Sequence, residues 1–315
     1  MSTFILRRLL TVVPVLLLVS IIVFIIMRLI PGDPVDVMYG VEGISQETRV
    51  AMERKLGLDQ PLPVQYLRWL GRFVTGDWGV SFVNGQPVFG TIVRKLPATF
   101  FLAVSSMLIA LLLSVPLGII AAIKRNSGID FVAMVLALLG ISIPDFWMAI
   151  MLVLVFALRL RWLPSIGFVS PFESPLLALK HLILPAFALG TALTGTFTRL
   201  TRSSLLEVLG EDYVRTARAK GLGELTIILV HALKNALIPV VTVMGMWFGF
   251  LLAGAVVIES VFAWPGVGQL LVQSILSRDY PTVQNVVLIT SMSFVLINLL
   301  VDMVYTILDP RIRLS

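Results

Sequence analysis

The sequence predicts an all-α polytopic membrane protein with six transmembrane helices. Three observations predict it. Apolar residues make up 58% of the 315 positions and charged residues 13%, with mean hydropathy +0.98; soluble domains run near one half and one quarter. Six apolar runs approach the roughly 20 residues that cross ~30 Å of hydrocarbon. None of them alternates apolar and polar residues as barrel strands do, and backbone in lipid must be satisfied inside a helix or a closed barrel.

The runs are 9–27, 98–123, 131–158, 182–198, 236–258 and 286–308. The first follows Arg7 and Arg8 as a signal peptide would, but no small-x-small cleavage site follows it. Arg28-Leu-Ile-Pro-Gly-Asp-Pro34 stands there instead, so the run reads as an uncleaved span. Six spans put both termini on one side, with 124–130 and 199–235. That side carries 12 Lys and Arg in 59 residues, against 12 in 120 on the other. The positive-inside rule makes the denser side cytoplasmic.

The outer loop, 28–97, has structure of its own. Residues 48–56 are charged and compatible with a helix. Tyr66, Trp69, Leu70 and Phe73 recur at i, i+3, i+4 and i+7, with Arg68 and Arg72 between them. This predicts an amphipathic helix on the membrane interface or the bundle, ended by Gly76-Asp77-Trp78-Gly79.

Several function classes are excluded. Net charge +6 and pI near 9.9 serve orientation and anionic lipid in so apolar a chain, and no nucleic-acid partner is expected. The absence of cysteine removes disulfides and thiolate metal sites, and only His181 and His231 are present, so no metal site is predicted. The nearest approach to a phosphate cradle, Gly85-Gln-Pro-Val-Phe-Gly90, is followed by Thr91 where Lys is required. A GxSxG nucleophile elbow and an HExxH zinc helix are missing. The chain carries no recognisable ATP site of its own, and its residues do not point to an enzyme.

The stretch 212–240, DYVRTARAKGLGELTIILVHALKNALIPV, is a basic insert between two membrane-length runs. It predicts two short helices broken at Gly221-Leu222-Gly223, offered to a partner.

Many segments in order resemble the inner-membrane permease subunits of ATP-binding-cassette importers, in the dipeptide, oligopeptide and nickel branch. They include Phe4-Ile-Leu-Arg-Arg-Leu-Leu10, Leu56-Gly-Leu-Asp-Gln-Pro-Leu62, Gly76-Asp-Trp-Gly-Val-Ser81, the insert 212–239, Glu259-Ser-Val-Phe-Ala-Trp-Pro-Gly-Val-Gly268, Arg278-Asp-Tyr-Pro281 and Leu308-Asp-Pro-Arg-Ile-Arg313. The general signature of such permeases is Glu-Ala-Ala, three residues, Gly, nine residues, Ile-x-Leu-Pro. Here Arg215-Thr216-Ala217 stands for Glu-Ala-Ala, and Gly221 and Leu233 match. His231 replaces the isoleucine, and Lys234 stands where proline is expected.

The resemblance implies a type I importer permease fold in a bacterial or archaeal inner membrane, both termini cytoplasmic. It implies a first span and outer loop over 1–97, a five-helix core over 98–308 with the insert 199–235, and a tail over 309–315. It implies a homologous second permease, two cytosolic ATPases that hold ATP and Mg, and an extracytoplasmic solute-binding protein. Short peptides are the expected cargo, with nickel-chelate, glutathione and oligosaccharide open. Arg215, Thr216, Ala217, Arg218, Lys220, Gly221 and Leu222 are expected to couple to the ATPases. Ala217 and Ala219 are read as letting the helix approach its partner.

Asp145, near the middle of the third span after Pro144, and its neighbour Phe146 are candidates for the translocation path. A helix–helix hydrogen bond is an equal alternative for Asp145. Asp302 reads as a structural contact. Gly245, Gly249 and Gly254 in the fifth span read as close helix packing, and Gly245 and Gly249 as candidates for the path interface by resemblance. Trp264, Pro265, Gly266, Asp279 and Tyr280 flank a short helix over 267–277, and by resemblance are candidates for an outer gate or binding-protein docking. An interfacial anchor is the alternative for Trp264. The competing class is a secondary transporter driven by an ion gradient, with Asp145 and Asp302 as ion carboxylates. Such folds usually carry internal repeats and need no docking insert.

Overall fold

A computed structural model describes residues 2–29 and 45–308. Residues 30–44 and 309–315 lie outside the described residues, with most of the Arg28–Pro34 and Leu308–Arg313 segments and the Asp302 side chain. Secondary structure among the described residues is helical, apart from one isolated bridge between Val80 and Pro87.

In chain order the helices are α1 (Ser2–Leu29), α2 (Gln46–Leu56), α3 (Leu62–Val74), α4 (Val88–Ile123), α5 (Gly128–Ser142), α6 (Asp145–Leu152, prolonged as π-helix over Val153–Arg159), α7 (Pro175–Val208), α8 (Asp212–Ala219), α9 (Glu224–Ala236), α10 (Ile238–Leu252), α11 (Val256–Val261), α12 (Val267–Leu276) and α13 (Tyr280–Leu308). Among the described residues α1, α4, α7 and α13 are each long and apolar enough to cross a membrane, and the spans number six if the bent pairs α5–α6 and α9–α10 count as one each.

The helices differ from the predicted runs in several places; α4, for one, begins ten residues before the predicted 98–123 and runs through Pro97. The third span is not one helix: α5 and α6 meet at 99°. Pro144 is the cause. The residue before a proline is pushed out of the helical region, and Ile143 sits at ψ 123°. Asp145 therefore opens a helix instead of lying within one. The fourth span extends well beyond 182–198, because α7 runs 34 residues through Pro185. The fifth ends early, at Ala253-Gly254. Gly254 has φ +112°, a turn conformation, so it breaks the helix where close packing was expected.

The chain folds as two compact units, Met1–Pro97 with Gly266–Val295 and Ala98–Pro265 with Leu296–Ser315. In the first, α2 is capped by Ser45, whose hydroxyl accepts from Thr48 N. Gly57, at φ +71°, closes α2 with Leu58 N bonded to Glu53 O. The aromatic stripe of α3 packs as its periodicity predicts. Tyr66 and Trp69 lie 5.5 and 5.9 Å from the Phe24 ring of α1, and Ser20 Oγ meets Tyr66 OH at 2.8 Å. Short α12 buries Val267 and Leu270 against Val88, Ile92 and Val286.

In the second unit α7 is the central staff, and glycines let its neighbours close on it. A Cβ on Gly195 would lie 2.3 Å from the Ala137 carbonyl oxygen of α5, and one on Gly118 of α4 would lie 2.6 Å from Thr201 Cβ. Helices without a hydrophobic drive between them gain from such contact. The core joins Leu102, Leu193, Phe197, Val240, Phe262 and Trp264.

Candidate functional site

The insert folds as a helical hairpin. Helix α8 opens with Asp212 and carries Arg218 in its last turn, each at the end its charge favours. Gly221 sits at φ +81° just past the C-cap Lys220. Its N–H donates to Arg218 O at 2.9 Å, and Leu222 N donates to Ala217 O at 3.4 Å. This pair of bonds is the Schellman arrangement, which needs a left-handed residue where Gly221 stands. Gly223 then caps α9 in an extended conformation.

Two sets of contacts pin the hairpin. Val214 and Ala217, one turn apart, are buried against Ile227. Tyr213 OH accepts from Asn235 Nδ2 at 2.9 Å, tying the start of α8 to the end of α9. Arg218 grips Glu224 across the turn, Nε to Oε1 at 2.7 Å and Nη2 to Oε2 at 3.3 Å. That hydrogen bonding holds the Glu224 carboxyl below the usual carboxylate range and raises Arg218. Further along α9, Ile228, Ala232 and Ala236 pack on Ala122 of α4 and Leu205 of α7. The hairpin is thereby seated on two membrane helices.

Arg215, Thr216, Arg218, Lys220, Gly221 and Leu222 are all exposed. Ala217 is not. Its methyl turns inward onto Ile227, so the expectation that it faces a partner is corrected: it fixes α8 to its own chain. Ala219 is on the open face.

Asp145 is half-buried in the first turn of α6, and Phe146 beside it is exposed. Gly245 and Gly249, four apart on α10, are buried on one face of the helix. The candidates for an outer gate or for docking are mostly buried. Trp264 is 1% exposed, its Nε1 donates to Ala98 O at 2.8 Å, and its ring meets Phe168 edge-on at 4.9 Å. It is a core residue and not an interfacial anchor. Gly266 is buried and Pro265 half-buried. Asp279 and Tyr280 are buried too. The Asp279 carboxylate accepts from Ser81 Oγ at 2.5 Å, Phe82 N at 2.9 Å and Thr282 Oγ1 at 2.7 Å. Trp264 and Asp279 thus bind other segments of their own units.

Three polar pairs escaped sequence reasoning. Arg202 of α7 grips Asp130 of α5 at 2.6 and 2.7 Å, Glu259 is fully buried and accepts from Thr99 Oγ1 at 3.0 Å, and Asp279 binds Ser81. Their partners lie 72, 160 and 198 residues apart. The local signal was limited to Ser127, whose hydroxyl caps Asp130 N at 3.4 Å.

Comparison with known proteins agrees along the whole chain. A putative peptide transport system permease protein of Brucella abortus (strain 2308) is 46% identical over 313 residues, 99% of each chain. The glutathione transport system permease protein GsiC of Salmonella paratyphi A is 45% identical over the same share. An inward-facing structure of the MetNI methionine ABC transporter shares the fold at TM-score 0.59 and 17% identity, covering 71% of this chain and 98% of that one. The family model for the N-terminal part of binding-protein-dependent transport system membrane components matches residues 1–103. The model for the inner membrane component itself matches residues 114–314. The chain therefore belongs to the binding-protein-dependent transport system inner membrane components, permease subunits of ATP-binding-cassette importers whose ATP is hydrolysed on a separate subunit.

Proposed function

We propose that this permease carries short peptides, or solutes built like them such as glutathione, with α8–α9 as its coupling lever. The cargo reading rests on the names of relatives 45–46% identical over 99% of the chain. The lever reading rests on one observation: the exposed tip is rigidly pinned through Val214, Ala217, Ala232 and Ala236 to α4 and α7. A push on Arg215, Lys220 or Leu222 then moves packed helices, where a floppy loop would dissipate it.

In this reading the hairpin and both termini face the cytoplasm, where two ATPase subunits seat on the tip. Arg215, Arg218 and Lys220 meet acidic groups of the groove. A homologous second permease completes the path, with Gly245 and Gly249 at the facing surface and Asp145 and Phe146 on its wall. A solute-binding protein delivers cargo to the outer face. There Trp264, Pro265 and Gly266, and separately Asp279 and Tyr280, are the candidates for a gate or for docking the binding protein. Membership of the importer family displaces the ion-gradient role of Asp145 and Asp302.

The test is co-purification of the tagged chain from its native membrane. Recovery of a second permease and two ATPases, with ATPase lost in Lys220→Glu or Gly221→Pro, supports the lever. Full ATPase recovery in both variants removes it. Uptake of labelled dipeptide and of glutathione by the reconstituted assembly decides the cargo.

A further inference from the structure

The first unit holds two cavities that the transport roles above leave unused. One, of about 780 Å³, is walled by Ile21, Ile25 and Leu29 of α1 with Leu62 and Pro63 of α3. Those α1 residues and Leu62 are 40–75% exposed, so the cavity opens along the outside of a membrane span. The other, of about 220 Å³, lies between α3 and the start of α13. The two share Phe24, Arg28, Leu58, Gln65 and Tyr280.

Four polar atoms of residues lining the smaller cavity are buried without a hydrogen-bond partner: Arg28 Nε, Trp69 Nε1, Gln65 Oε1 and Asn285 Oδ1. Buried polar groups are paired in the great majority of cases, so each orphan calls for a reason. These four belong to one chamber. Gln65 Nε2 already donates to Leu58 O and Gln60 O, and Asn285 Nδ2 to Trp78 O and Pro281 O. What remains is two donors and two acceptors.

The chamber is also cationic. Arg28, Arg68 and Arg72 line it with one carboxylate, Asp77, which lies 4.0 Å from Arg72. Glu53 lines the apolar cavity only. A ligand that satisfies this wall brings anionic oxygens for Arg28 and Trp69 and hydroxyl donors for Gln65 and Asn285. A polar chamber opening onto an apolar groove beside a membrane span fits a lipid better than a free ion.

We propose that the paired cavities bind an anionic phospholipid with a hydroxylated headgroup, of the phosphatidylglycerol kind. The phosphate accepts from Arg28 and Trp69, the headgroup hydroxyls donate to Gln65 and Asn285, and an acyl chain lies along Ile21, Ile25 and Leu62. The site is independent of cargo and of the coupling hairpin.

Native mass spectrometry of the full-length chain in detergent tests it, with added dioleoyl phosphatidylglycerol or dioleoyl phosphatidylcholine. The expected result is retention of phosphatidylglycerol in preference to phosphatidylcholine, weakened roughly tenfold by Arg28→Gln, the loss expected for one hydrogen bond to a charged group. Trp69→Phe keeps the ring on Phe24 and removes only the donor; it is expected to weaken retention severalfold. Arg54→Gln, exposed and outside both cavities, leaves it unchanged. Equal retention of the two lipids by the parent overturns the proposal without recourse to any variant. Displacement of the lipid by millimolar inorganic phosphate assigns the chamber to a free anion and overturns it as well. So does a loss in Arg54→Gln equal to that in Arg28→Gln, which marks general charge attraction.

Discussion

Arg218 and Glu224 are joined by two hydrogen bonds across the turn that separates α8 from α9, at 2.7 and 3.3 Å. The pair locks the angle between the two helices at the tip proposed to meet the ATPase. Arg218 holds the Glu224 carboxyl below its ordinary range. A depressed carboxyl contributes stability above its ordinary value, about 4.3, and loses it as pH falls through the lowered one. The cysteine-free chain allows a single spin label at Lys220→Cys. Label mobility is expected to be flat from neutral pH down to the ordinary carboxyl range and to rise as pH falls through the lowered Glu224 value. Glu224→Gln is expected to be more mobile at neutral pH and nearly insensitive to acid. An acid response that survives in Glu224→Gln assigns it to another group.

The two glycines of that turn are not equivalent. A Cβ on either meets nothing within 4 Å, but Gly221 is at φ +81° while Gly223 is at φ −65°. A left-handed conformation costs an L-residue about 1–2 kcal/mol. Gly221→Ala is expected to loosen the hairpin by about that amount and to reduce ATPase recovery. Gly223→Ala is expected to do neither. Protease accessibility of the insert, read beside subunit recovery, separates them, and matching behaviour of the two variants refutes the conformational argument.

Asp279 is the hub of the first unit's polar contacts, accepting from Ser81, Phe82 and Thr282. Asp279→Ala strands two hydroxyls and a backbone N–H in a buried place, a loss of about 2–3 kcal/mol or more. Asp77, exposed and 4.0 Å from Arg72, is a surface pair of little worth. The unfolding midpoint of the full chain in detergent is expected to fall by several degrees for Asp279→Ala and to stay within error for Asp77→Asn. Equal midpoints contradict the hub.

Local pattern made the helical class, the α3 stripe, the turn at Gly221 and the short α12 legible, because each follows from periodicity or from one residue's allowed backbone conformation. Pro144 also carries a signal, since proline kinks or breaks a helix, and in the structure the break is 99°. The size of a bend depends on what the second segment packs against, and no local rule holds that. Trp264 misled for the same reason. An aromatic beside a proline near the membrane surface reads as an anchor, yet its indole N–H is answered by Ala98, 166 residues away. The Asp130–Arg202 clasp was likewise invisible, since neither residue's neighbours name the other.

Gly195 shows what such long-range contact demands. In sequence it is one glycine in Thr191-Ala-Leu-Thr-Gly-Thr-Phe197, with no turn signal around it. In the fold its missing side chain admits α5 against α7. An added Cβ lies 2.3 Å from Ala137 O and 2.8 Å from Ile141 Cγ1. The isoleucine can rotate, but the carbonyl belongs to a helix and moves only with it. Overpacking of this kind costs typically about 1–3 kcal/mol, so Gly195→Ala is expected to lower the unfolding midpoint. Adding Ala137→Gly is expected not to restore it, because the obstacle is backbone. Gly71→Ala, in open space within α3, is expected to be neutral or slightly stabilising, since alanine is the better helix former by about 1 kcal/mol. Rescue by Ala137→Gly relocates the clash to side chains. A midpoint for Gly195→Ala equal to the parent's removes the close crossing of α5 and α7 altogether.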